Sequence, residues 1–126
     1  MIQLIEIVIV PPSLYVLPLK ELVRNDIAVG AQNAYVEVSG AFTGEISPKQ
    51  LHDEGVPWVI LGHSERRSLF NESHEVVGKK TKTALDVGLN TILCIGEKLH
   101  EREAGKTIQV VEDQLAAVAK ETKDWR

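Results

Sequence analysis

Residues 58–67, Trp58-Val59-Ile60-Leu61-Gly62-His63-Ser64-Glu65-Arg66-Arg67, decide how the chain folds. Four apolar residues with no polar alternation describe a strand covered on both faces, which is commoner in parallel than in antiparallel sheets. Gly62 ends the run, and Ser64 with Glu65 marks the start of a helix. A strand leading through a short turn into a helix is one βα unit. The same grammar recurs at Ile7 to Val10, Ile27 to Val29 and Thr91 to Ile95, each run being followed by turn residues and a helix-like segment. Four consecutive βα units predict an α/β chain with a parallel sheet, a single domain over residues 1–126.

The helices carry their own punctuation. Ser47-Pro48-Lys49-Gln50 reads as a capping box with proline at the first helical position, and Gly55 can close that helix. After Ser73, Val76, Val77, Ala84 and Leu85 fall on one side at helical spacing; Lys79, Lys80 and Lys82 are expected on a solvated face, and Gly88 supplies a left-handed C-terminal residue. In the last helix Ile108, Val111, Leu115 and Val118 form an amphipathic stripe that needs a sheet to cover. Four parallel strands in consecutive order leave two unpaired edges and a half-covered face, which natural sheets avoid by closure or cover.

Composition narrows the function classes. The chain has 126 residues, 44% of them apolar, enough for a sizeable core. With 14 basic against 18 acidic residues and no basic run, neither nucleic acid nor an anionic membrane is the expected partner. Cys94 is the only cysteine, so no internal disulfide can form and a reducing, cytosolic compartment is the default. The apolar opening from Met1 to Val10 contains Glu6, lacks a basic flank and runs into Pro11-Pro12, unlike a signal peptide or a membrane span. The histidines at 52, 63, 74 and 100 show no pairing with one another or with cysteine, so no metal site is expected.

His63 stands at the carboxyl end of an apolar strand, where parallel α/β proteins gather their chemistry. The unsatisfied N–H groups of a helix terminus disfavour imidazolium there, and a neutral imidazole can donate an N–H to a substrate oxygen. A lone histidine can equally do no more than satisfy its own loop, and placement alone does not choose between the two.

Further motifs do. Gly62-His63-Ser64-Glu65-Arg66-Arg67, Gly30-Ala31-Gln32-Asn33-Ala34 and Gly40-Ala41-Phe42-Thr43-Gly44-Glu45 resemble the triosephosphate isomerase family in order and spacing. Pro11-Pro12-Ser13, Leu93-Cys94-Ile95-Gly96-Glu97 and Ala104-Gly105-Lys106-Thr107 extend the likeness over essentially the whole chain. The resemblance implies part of a TIM barrel, about half of a (β/α)8 fold, from its second to its fifth unit. It implies interconversion of dihydroxyacetone phosphate and glyceraldehyde 3-phosphate through an enediolate, in glycolysis and gluconeogenesis. The chemistry implied uses a glutamate base and a neutral histidine electrophile, with no metal and no cofactor, and the family is itself the reference case for such a histidine.

By motif match His63 is that histidine, Glu65 a supporting acid beside the reacting centre, and Ser64 the residue that caps and orients the segment. Asn33 supports the site from the root of the loop between Ala34 and Glu45. That loop carries Val36, Val38 and Phe42, and the resemblance implies that it inserts into a neighbouring subunit, with Phe42, Thr43 and Gly44 at the interface of a homodimer or with a complementing isomerase chain. Cys94 is expected to be a small core residue and no nucleophile. Arg66 and Arg67 are expected to be structural, Arg66 paired with Glu72, in preference to binding phosphate.

The family's first strand, with its asparagine and substrate-binding lysine, has no counterpart before Ile7, and the base-bearing strand, lid and phosphate loops have none up to Arg126. Full (β/α)8 chains run to about 250 residues. The expectation is therefore a chain truncated at both ends and inactive alone. The alternative is a non-catalytic fragment that pairs through its open sheet edges and the Thr43 loop. Nucleotide hydrolysis is not expected: a P-loop ending in Gly105-Lys106-Thr107 would need glycine where His100 stands, and a strand leading into it.

Overall fold

The computed structural model describes residues 5–123. The two ends, on which the expectation of truncation rests, lie outside the described residues. Four strands, β1 (Ile7–Ile9), β2 (Ile27–Ala31), β3 (Trp58–Leu61) and β4 (Asn90–Leu93), pair in parallel in the order β1-β2-β3-β4. Between and after them lie α1 (Val16–Lys20), α2 (Pro48–Asp53), α3 (Ser64–Leu69), α4 (His74–Asp86), α5 (Leu99–Glu103) and α6 (Thr107–Glu121). This is the expected succession of βα units, a half-barrel.

The local signals read from sequence act as anticipated at α2 and α4. Ser47 accepts hydrogen bonds from the backbone N–H groups of Lys49 and Gln50, while the Gln50 side chain accepts from the N–H of Ser47. Two otherwise orphaned donors are thereby satisfied reciprocally. Ser73 caps α4 through the N–H of Val76, and Gly88 follows the helix at φ +91°.

Cover is one-sided where the apolar runs predicted two. Val29, Ala31, Val59 and Leu61 share the face turned to the helices and are buried with Val16, Leu51, Val56, Ala84 and Leu89. By register, Val8, Ala28, Trp58, Ile60 and Ile92 share the opposite face, and all are half-buried among the described residues. Continuous apolar runs report what a strand is suited to, and other layers must still supply the second cover. At the β1 edge, Ile7 and Ile9 remain 44% and 38% exposed.

Three further readings are corrected by the packing. The buried face of α4 is Val77, Gly78, Lys80, Thr81 and Ala84, while Val76 and Leu85 are exposed. Lys80 is therefore a core-facing residue, whereas Lys79 and Lys82 are solvated. In α6 the buried residues are Gln114, Ala117 and Val118, and Ile108 is exposed. The reason is that α6 docks mainly on α4. Gly78 lets the two backbones meet so closely that an added Cβ would lie 2.7 Å from the carbonyl oxygen of Ala117. Gln114 is buried because its amide donates to the carbonyl of Gly96 at 3.0 Å and accepts from the N–H of the same residue at 2.8 Å.

Candidate active site

The carboxyl ends of β1, β2 and β3 open onto a cleft of about 1010 Å³ whose walls include Val10, Asn33, Gly44, Ile60, His63 and Glu65. Gln32 ties two of these ends together, donating from Nε2 to the carbonyl of Val10 at 3.1 Å. Gly62, at φ +73°, turns the chain out of β3 so that His63 follows at the rim. A side chain at 62 is excluded twice over, by the left-handed backbone and by crowding, since a Cβ would lie 2.7 Å from an Arg67 nitrogen and 2.9 Å from Val77.

His63, not Ser64, is the N-cap of α3, which corrects the expected capping role of Ser64. Its Nδ1 accepts from the backbone N–H of Glu65 at 3.4 Å and stands 3.6 Å from the Glu65 carboxylate. With Nδ1 placed as the acceptor, Nε2 is the ring nitrogen left facing away from this contact. Ser64 instead begins the helix, and its carbonyl accepts from the hydroxyl of Ser68. Cap and imidazole are one residue because the extended backbone at His63, φ −53° and ψ 143°, already suits the cap, and a ring nitrogen can replace a hydroxyl as acceptor.

Asn33 lines the same cleft and is held from behind. Its Oδ1 accepts from Lys80 Nζ at 3.1 Å, and Lys80 also donates to Glu72 Oε1 at 2.6 Å, an oxygen that takes Arg66 Nε at 2.6 Å as well. Burial pushes the Glu72 carboxyl up, but the hydrogen bonds from Lys80 and Arg66 outweigh it and hold the group below the usual carboxylate range. Arg66 in addition lies over the ring of Phe70 at 4.5 Å. Lys80 was the residue missed. The signal existed, because position 80 lies three residues after Val77 and four before Ala84, and a lysine on an apolar helical stripe requires a buried acid.

Arg67 donates to the carbonyls of Gly62 and Cys94 at 2.7 and 3.2 Å and meets His74 Nδ1 at 3.1 Å. Burial lowers its guanidinium from the ordinary value. Cys94 is half-buried just past β4 and not in the core as expected; its burial, which disfavours thiolate, raises its thiol although the nearby Arg67 acts in the opposite direction.

The loop after Asn33 is internally organised. The rings of Tyr35 and Phe42 lie 4.7 Å apart, Tyr35 N–H donates to Ile46 at 2.8 Å, and the Ser47 hydroxyl donates to Val38 at 2.6 Å. Phe42, Thr43 and Gly44 are exposed at its far end. Gly105-Lys106-Thr107 joins α5 to α6, with a helix where a P-loop needs a strand. Among the described residues, no group of three or more His, Cys, Asp or Glu side chains is placed to hold a metal ion, and no helix is long and apolar enough to cross a membrane.

Residues 2–126 match the family model for triosephosphate isomerase. The triosephosphate isomerase of Coprinopsis cinerea is 61% identical over 122 residues, covering 95% of this chain and 49% of that protein. Those of Saccharomyces cerevisiae and Paracoccidioides lutzii are each 56% identical over 122 residues, covering 96% and 95% of this chain and 49% of either relative. The chain spans about half the length of the curated relatives it matches.

Proposed function

We propose, because this chain belongs to the triosephosphate isomerase family, that it supplies the electrophilic half of an active site interconverting dihydroxyacetone phosphate and glyceraldehyde 3-phosphate. The observation that carries the reading is the His63 ring, held at the strand end with Nδ1 occupied by the N–H of Glu65. Nε2 is then the donor available to a substrate carbonyl. As a carboxylate base removes the proton from C1, negative charge develops on the C2 oxygen, and a hydrogen bond from Nε2–H stabilises it where it forms. Transfer of the proton on O1 to the C2 oxygen and return of a proton to C2 complete the exchange of ketose for aldose with no net redox change. Glu65 and Asn33 support the site. The base and the principal phosphate-binding groups are assigned to the part of the relatives' length that this chain does not span.

The same reading makes the exposed Phe42, Thr43 and Gly44 a contact with a second isomerase subunit and places the protein in the cytosol, in glycolysis and gluconeogenesis. The test is a coupled assay with glyceraldehyde 3-phosphate on residues 1–126 joined to the remaining half of the Saccharomyces cerevisiae relative. Turnover that falls about 10²-fold or more in His63→Gln is expected, the size of effect of removing one donor to an oxyanion. Turnover indifferent to His63→Gln overturns the reading.

A second reading is supported by the exposed Ile7 and Ile9 on the β1 edge. In it the 126-residue chain is a non-catalytic partner that pairs through its sheet edges and the Thr43 loop. Sedimentation that finds only monomer at high concentration, with or without a complete isomerase, excludes it.

A further inference from the structure

We propose that Arg67 is a positioning residue for the electrophile, clamping the carboxyl ends of β3 and β4 and thereby fixing where His63 stands. The proposal rests on His63 being the electrophile. Two carbonyls at the rim, those of Gly62 and Cys94, lie beyond the last paired residues of β3 and β4, Leu61 and Leu93. Both turn to a single guanidinium, Nε donating to Gly62 at 2.7 Å and an Nη to Cys94 at 3.2 Å, while the other Nη meets His74 Nδ1 at 3.1 Å. One side chain thus joins β3, β4 and the first residue of α4 at the end of the sheet where the cleft lies.

Its effect on His63 follows from covalent geometry. The carbonyl of Gly62 belongs to the peptide unit whose other end is the Cα of His63, and that unit is planar. Holding the oxygen therefore holds the plane, and with it the point from which the imidazole departs. The weaker 3.4 Å bond from the Glu65 N–H to Nδ1 sets the ring only if that point is stationary. A guanidinium suits the task because its donors diverge in one plane in fixed directions, whereas an ammonium is a point charge with no such fork. Glycine at 62 belongs to the same device, since a Cβ there would strike Arg67 at 2.7 Å.

Two measurements test this. In the 126-residue chain, ¹⁵N resonances of His63 at about pH 8.5, above the ordinary imidazole range, are expected to show one neutral tautomer with the proton on Nε2. In Arg67→Lys they should move toward a tautomer average. In the joined barrel described above, Arg67→Lys is expected to lower kcat by about 10- to 100-fold with KM within about twofold, the size of effect that a misplacement of the order of 1 Å produces. The carbonyl stretch of bound dihydroxyacetone phosphate should move toward that of the free ketone. His74→Ala, which releases only one Nη contact, should show the same pattern at smaller size.

An unshifted His63 spectrum, or kcat changed by less than twofold in a folded Arg67→Lys, overturns the proposal. So does an Arg67→Lys chain that fails to fold while His74→Ala is unchanged in spectrum and rate, because Arg67 is then only a folding residue. A parent barrel that is inactive counts against His63 as electrophile, and the spectra of the 126-residue chain still judge the clamp.

Discussion

Replacing Lys80 by Met removes a charge from the interior while keeping the length and the apolar stem of the side chain. The structure sets the size of the effect. Lys80 and Glu72 are 4% and 7% exposed and 2.6 Å apart, so neither charge has bulk water to fall back on. Breaking a buried pair by deleting one partner costs about 3–5 kcal/mol, mostly because the survivor stays buried. Here the survivor keeps Arg66 at 2.6 Å, itself only partly exposed, so a loss of about 3 kcal/mol is expected. At a urea dependence of about 2 kcal/mol per molar, that lowers the unfolding midpoint by about 1.5 M, which the fluorescence of Trp58 in β3 can follow. The loss should be partly recovered by adding Glu72→Gln, since the amide needs no counter-charge. A midpoint drop of less than about 0.25 M, within ordinary surface-substitution effects, or no recovery on adding Glu72→Gln, would mean that the Lys80–Glu72 pair is not what holds this part of the chain.

Acid should act on the same network. The Glu72 carboxyl is held below its ordinary range in the folded chain, so the unfolded chain binds the extra proton first. Its stabilisation is complete above the unfolded value of about 4.3 and is lost as pH falls through the lower folded value. Urea midpoints taken between about pH 5 and 3 should fall steeply in the parent and less steeply in Glu72→Gln. Gly78→Ala should destabilise by about 1–2 kcal/mol in the same denaturation assay: the helix gains about 1 kcal/mol of propensity, but a Cβ 2.7 Å from the Ala117 carbonyl meets backbone and forces α6 off α4. Ser47→Ala removes the oxygen that caps α2 and also releases the carbonyl of Val38, and should cost about 1–2 kcal/mol with local amide exchange accelerating at Lys49 and Gln50.

Features settled between residues a few positions apart were legible in the chain. Apolar runs and turn glycines place the four strands, with β3 at Trp58–Leu61 as read. The capping box at Ser47 and the helix end at Gly88 follow equally directly, because a cap is made by neighbours in the chain. The rim position of His63 follows from its place after β3. Which helical faces lie inside depends instead on the assembled packing. Lys80 becomes a core residue because Asn33, 47 positions earlier, and Glu72 lie beside it, and α6 turns Gln114 inward because α4 and Gly96 receive it. It also showed that the imidazole of His63 caps its own helix, and that Arg67 closes on two strand-end carbonyls 32 residues apart. Periodicity records how much apolar surface an element must hide and on roughly which side. It does not record which distant group will be there to meet a buried charge or amide, because that partner is supplied by the assembled sheet and helices and not by the local chain.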